Sequence, residues 1–176
     1  MGIILNSRSQ LAGKPKAAIR DITQTALCAA IMFALQVALS VLPNIEIVSL
    51  LVILYTLVLR RKAIYVIYIF AMLEGLYYGF GLWWVSYLYV WTILALITHL
   101  CRNSESPLLW AVISGAFGLF FGALVAIVYL FVGGPKMAVS FWIGGITFDL
   151  IHCAANFAVC LVLFNPLKKA LEWARR

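Results

Sequence analysis

Apolar residues fill this chain in long runs, and the polar positions between them come in short clusters. The runs are interrupted at Arg60 to Lys62 (RRK), around Gly79 to Trp84, at Arg102 to Pro107 (RNSESP), at Gly133 to Lys136 (GGPK) and at Asn165 to Lys169 (NPLKK), with a softer break at Pro43-Asn44. Six apolar segments result, at about 22–42, 45–59, 63–82, 85–100, 108–132 and 138–164. Hydrocarbon offers no partner to an open backbone, and segments of this length do not fit the alternating strands of a barrel, so all six are expected to be helical. The pattern predicts an all-α integral membrane protein, a six-transmembrane-helix bundle forming a single membrane domain over 1–176. The second segment is short against the roughly 20 residues that usually cross the hydrocarbon core. It is kept because without it the positive charges would not fall on one side.

Composition agrees and charge adds orientation. Hydrophobic residues make up 65% of the chain and charged ones 11%, with mean hydropathy +1.06, whereas an ordinary soluble domain carries roughly 25% charged residues. Arg8, Lys14, Lys16, Arg20, Arg60, Arg61, Lys62, Arg102, Lys168, Lys169, Arg175 and Arg176 all lie on one side of a six-span path, and Lys136 alone lies on the other. By the excess of basic residues in cytoplasmic loops, the chain is expected to be a multi-pass protein of the cell membrane, N-in and C-in, with 1–21 a cytoplasmic arm. The net charge of +7 is then an orientation signal and lends no support to nucleic-acid binding. The first useful apolar run starts after about twenty residues without a small-residue cleavage site, so span one is expected to stay in the mature protein. Cys28, Cys101, Cys153 and Cys160 show no CxxC spacing and read as small apolar fillers, with no metal site expected.

Local signals refine the ends. Ser106-Pro107 reads as an N-cap followed by proline in the first helical position. Asn165-Pro166 repeats the device and is expected to start a short interfacial helix over 165–176. Leu167, Ala170, Leu171 and Ala174 share one of its faces, while Lys168, Lys169, Arg175 and Arg176 reach lipid phosphates.

Small residues stand four apart in three places. Ala26, Ala30, Ala34 and Ala38 form a ladder in the first span, Ser114, Gly118, Gly122 and Ala126 form a second in the fifth, and Gly75 and Gly79 make a GxxxG in the third. At about 1.5 Å of rise per residue the alanine ladder covers about 18 Å of helix, a smooth strip that another helix can approach closely. Any of the three serves equally as an internal seam or as a partner interface on spacing alone.

Residues 77–91, YYGFGLWWVSYLYVW, are dense in aromatics. An aromatic belt at the membrane surface accounts for part of this. The other reading is a wall for a flat or bulky organic ligand, built by Tyr77, Tyr78, Trp83, Trp84, Tyr87 and Trp91 with Trp142 at a similar depth. Glu46, at the outer start of span two, Glu74, in span three, and Asp149, in span six, enter or border the membrane. Charges there are costly unless they face the bundle, stay protonated or meet a partner, so Glu74 and Asp149 are candidates for a ligand or gating role. Capping of span two is the competing role for Glu46. Asp149, His152 and Asn156 share one face of span six, either to hold a polar ligand or to tie helices together. His99, beside Cys101 and Arg102, falls outside the candidate site.

No HExxH, GxSxG, metal-spaced histidine pair or GxxxxGK[ST] loop is present. No catalytic residue is therefore assigned, and an enzyme is not expected. Uphill transport would draw ATP energy from another subunit or an ion gradient through the buried acids.

The alanine ladder, the segment LPNIEIVSLL (Leu42 to Leu51) and LEGLYYGFGLWW (Leu73 to Trp84) together resemble the substrate-binding S components of energy-coupling factor (ECF) vitamin transporters. The resemblance covers nearly the whole chain as topology. It implies an outward-opening site and docking of the alanine ladder on an ECF transmembrane coupling subunit. That subunit would be driven by two cytoplasmic ATPases, which use ATP and Mg, the chain having no cofactor of its own. It also implies toppling of the chain in the membrane to release a vitamin inside. Candidate substrate-binding residues are Asn44, Glu46, Glu74, Tyr77, Tyr78, Trp83, Trp84, Tyr87, Trp91, Trp142 and Asp149. Three acids against the single outer base Lys136 disfavour an anionic vitamin, and a large amide-rich ligand, cobalamin or another corrinoid, is the first choice. A stand-alone proton-coupled secondary transporter of a small organic solute is the alternative, and a non-transporting scaffold a third.

Overall fold

The structure is a computed structural model that describes residues 3–42 and 44–175, with side chains described from residue 19 onward. Pro43, half of the softer sequence break, lies outside the described residues, as do the side chains of Arg8, Lys14, Lys16 and Arg176. The described residues form helices joined by short connections, with no strand among them: α1 Ile3–Leu39, α2 Val48–Leu59, a 3-10 turn Arg60–Lys62, α3 Ala63–Tyr78, α4 Leu82–Leu100, α5 Pro107–Gly144 and α6 Ile146–Ala174. Four stretches are long and apolar enough to cross a membrane: Ile19–Leu39, Leu82–Leu100, Pro107–Gly144 and Ile146–Ala174. The chain is thus an all-α protein with the helices of a membrane protein.

The short helix α2 occupies the middle and packs against every other α-helix. Its Val/Leu/Ile sequence has no polar face, and every residue of it except Leu57 is buried. A helix wrapped on all sides by others has no need of an outward stripe. Met32 on α1, Ile67 and Phe70 on α3 and Leu94 on α4 close around it.

The GGPK break reverses the chain within α5. Gly134 has φ of 75° and ψ of −175°, a non-helical conformation, and Pro135 follows. Proline lacks the N–H and its ring crowds the carbonyl four residues back, so the helix cannot run straight through. Across this point Gly118 faces His152, Gly122 faces Asp149 and the rings of Tyr129 and Phe141 stack at 4.1 Å. Members of each pair are nearly equidistant from Pro135, so the two arms lie antiparallel. A methyl carbon at Gly118 would sit 2.9 Å from the His152 backbone, which is why glycine is needed where the arms meet. Gly145, with φ of −92° and ψ of −3°, interrupts the return arm before α6.

The opening of α5 follows the sequence: Ser106 Oγ accepts from the Leu109 N–H at 3.3 Å and Pro107 starts the helix. Asn165-Pro166 behaves differently, because α6 continues through it to Ala174 and no separate helix starts there. The lost proline hydrogen bond is outweighed by anchors beyond it. Leu167 and Leu171 pack on the core, and the Arg175 guanidinium donates to the Val58 carbonyl at the end of α2.

The two ends of the bundle differ in chemistry. At one end Arg60, Arg102, Lys168 and Arg175 surround a shallow polar depression, and Lys62 pairs with Asp21 of α1 at 2.5 Å. At the other end the α1–α2 loop and the adjoining ends of α3 and α4 border an aromatic cavity.

Candidate functional site: an aromatic, acid-lined cavity

The cavity has a volume of about 450 Å³, within the range of small-molecule sites. Each wall follows from helical spacing. On α4, Trp83, Tyr87 and Trp91 stand at i, i+4 and i+8 and form an edge-to-face column, with ring centroids 5.1 and 5.4 Å apart. On α3, Glu74 and Tyr78 are one turn apart and both face inward. Phe121 of α5 and Phe148 and His152 of α6 add to the wall, as do Gln36 and Leu39 of α1 and Ser40 just after it. Asn44 and Glu46 come from the α1–α2 loop. Asn44 takes φ of 64°, a left-handed conformation that asparagine tolerates better than most residues, and this turns the loop across the cavity mouth.

Glu46 does two jobs at once. One carboxylate oxygen accepts the Ser49 N–H at 2.9 Å, satisfying a free donor at the start of α2, and the other accepts the Ser49 hydroxyl at 2.5 Å. That second oxygen also meets His152 Nε2 at 3.3 Å, and Asn156 Nδ2 donates to Ser49 Oγ at 3.1 Å. The polar face of α6 is therefore divided. His152 joins the α1–α2 loop to α6 and Asn156 joins α2 to α6, while Asp149 turns toward α5 and accepts the Gly122 N–H at 2.9 Å.

Most buried polar atoms in proteins find a partner. Among the described residues around this cavity five do not: Gln36 Oε1, Asn44 Oδ1, Glu74 Oε1, Trp91 Nε1 and His152 Nδ1. Glu74, Trp91 and His152 are each only 2–3% exposed.

The residues expected from sequence separate into two groups. Asn44, Glu46, Glu74, Tyr78, Trp83, Tyr87 and Trp91 are brought together on the cavity wall. Tyr77, Trp84, Trp142 and Asp149 are not. Tyr77 points out of α3 and meets Phe33 of α1 edge-on at 5.6 Å. Trp84 fastens the α3–α4 turn, its indole N–H donating to the Ala71 carbonyl at 2.8 Å and its ring edge-on to Phe80 at 5.0 Å. Gly75 makes room for both rings, since any side-chain carbon there would collide with them, and Gly79 turns the chain with φ of 89°. Trp142 is 40% exposed on the return arm before Gly145. Asp149 is buried in the α5–α6 seam.

Gln36, Ser40, Phe121 and Phe148 line the cavity without having been expected. Gln36 carried a readable signal, as a polar residue inside the apolar run of span one. The Phe residues carried none, because phenylalanine in a membrane helix reads the same whether it faces lipid, a neighbour or a ligand.

The alanine ladder is exposed at Ala26, Ala30, Ala34 and Ala38, while the adjacent face of α1, with Thr25, Cys28, Ala29 and Met32, is buried. Ser114, Gly118, Gly122 and Ala126 are all buried. The chain matches no protein-family profile, no curated protein and no solved structure.

Proposed function

We propose that this chain is the substrate-binding subunit of a transport system, with the aromatic cavity as its capture site, working in the manner of an ECF-type S component. The observation that carries this reading is the convergence of five unpartnered polar atoms on one aromatic-walled cavity. Groups buried at that cost are offset by a ligand that supplies the missing partners. The path is six spans with both termini cytoplasmic, supported by the gathering of Arg60, Arg102, Lys168 and Arg175 at the end away from the cavity. The cavity then opens outward. The exposed alanine ladder is the docking strip for a membrane coupling subunit worked by two ATPases, since the rival strip on α5 is occupied by α6. A corrinoid exceeds a cavity of about 450 Å³ as it stands, so within the vitamin class the cavity favours a smaller, flat ligand.

Purification in mild detergent, mass spectrometry of co-purified small molecules and a thermal-shift panel of vitamins test the capture site, and no ligand with no shift rejects it. Ala30→Trp is expected to abolish pull-down of an ATPase-containing complex while ligand binding survives; intact assembly removes the ladder from the interface. Glu74, a buried carboxylate without a protein partner, also favours a second reading, proton-coupled transport by the chain alone. Uptake that collapses with an uncoupler in cells lacking any such ATPase partner would select it.

A further inference from the structure

We infer that the cavity takes an organic cation: a flat ligand with a positively charged or amine nitrogen seated between the Glu74 carboxylate and the Trp83–Tyr87–Trp91 column. The inference rests on the cavity being a ligand site and specifies the charge of what enters it.

The charged groups facing the cavity are few. Glu46, Glu74 and His152 line it together with the phenols of Tyr78 and Tyr87, and no Lys or Arg among the described residues joins them. Glu46 is engaged by His152 and Ser49. Glu74 Oε1 has no partner, and neither do the amide oxygens of Gln36 and Asn44. Among the five unpartnered buried atoms acceptors outnumber donors, three oxygens to the single N–H of Trp91, with His152 Nδ1 able to take either role. A ligand that completes this set brings N–H donors.

The aromatic column adds a preference of its own. Ring faces carry negative potential and attract a cation near the centroid, most strongly in the case of tryptophan. Edge-to-face packing at 5.1 and 5.4 Å holds Trp83, Tyr87 and Trp91 in fixed orientations, so little side-chain freedom is lost when a ligand arrives. An anion would meet two carboxylates, while the imidazole of His152 on the same wall is already turned to Glu46.

Three probes on the same flat ring and of different charge test this: 1-naphthylmethylammonium, which brings N–H donors with its charge, 1-naphthamide and 1-naphthoate. Binding to the purified protein is read by quenching of tryptophan fluorescence and by thermal shift. The cation is expected to bind at least about tenfold more tightly than the amide, and the carboxylate not to bind. Glu74→Gln is expected to weaken the cation by about tenfold or more and the amide by a clearly smaller factor, while Glu74→Asp, which keeps the charge, retains cation preference. Equal binding of naphthoate and naphthylmethylammonium, or cation affinity undisturbed in Glu74→Gln, overturns the inference and leaves the capture site standing. Absence of binding by all three at millimolar concentration overturns both. Should Glu74→Gln fail to fold, the order of affinities for the wild-type chain decides.

Discussion

Two stripes of small residues, alike in sequence, meet opposite fates in this molecule. Ser114, Gly118, Gly122 and Ala126 disappear into the seam between the two arms of a hairpin, whereas Ala26, Ala30, Ala34 and Ala38 stand uncovered on α1. The difference lies in what the neighbouring chain delivers. The Gly134-Pro135 reversal brings the return arm back along α5, and the glycines are consumed by that approach. The helix α1 has no such hairpin partner, and it buries the face carrying Cys28, Ala29 and Met32 instead. Glycine and alanine also differ in use. A methyl carbon at Gly118 collides with backbone, so glycine there is a requirement of contact already made. Alanine on an exposed face leaves a strip smooth without committing it to any neighbour.

Substitutions in the small residues test this contrast, beginning with the most disruptive. Gly118→Leu drives a side chain into the His152 backbone and is expected to cost on the order of 3 kcal/mol or more. Loss of monodisperse protein on size exclusion is the readout, and a wild-type melting temperature would mean the arms are not in contact. Gly122→Ala places a carbon 2.5 Å from the Asp149 carboxylate. A cost of about 2 kcal/mol is expected, seen as a lowered melting temperature in detergent. Gly75→Ala pushes on the rings of Phe80 and Trp84 and strains the Trp84 to Ala71 hydrogen bond, at about 1 kcal/mol. Tryptophan emission is the second readout there, expected to shift as Trp84 is displaced. Ala30→Leu, on the free strip, is expected to change stability by less than about 0.5 kcal/mol. A large destabilisation in that variant would show that the α1 ladder is an internal seam after all.

How much of this was legible beforehand depended on whether the signal was local. Breaks at Arg60 to Lys62, at Ser106-Pro107 and at Gly134-Pro135 were readable because turn and cap residues act on their own backbone. Asn165-Pro166 misled for the same reason. Its local preference is to start a helix, but packing of Leu167 and Leu171 carries α6 straight through. In the site, Trp83, Tyr87 and Trp91 share a face by helical arithmetic, and Trp83 lines the cavity although its sequence neighbour Trp84 does not. Both are tryptophans in one aromatic run. The adjoining helix makes Trp84 the fastener, with room at Gly75 for its ring and the Ala71 carbonyl to take its N–H.

Apolar run lengths, turn residues and the spacing of aromatics and acids are properties of neighbouring residues, and the sequence by itself determined from them that the chain is helical, apolar enough for a membrane, and lined at certain faces with candidate chemistry. Packing decided the rest, because it joins residues far apart in the chain. Glu46 meets His152 across 106 positions and Asp149 reaches Gly122 across 27. Two acids equally conspicuous in sequence thereby part company, Asp149 into a helix seam and Glu74 into a cavity where its carboxylate oxygen still lacks a partner.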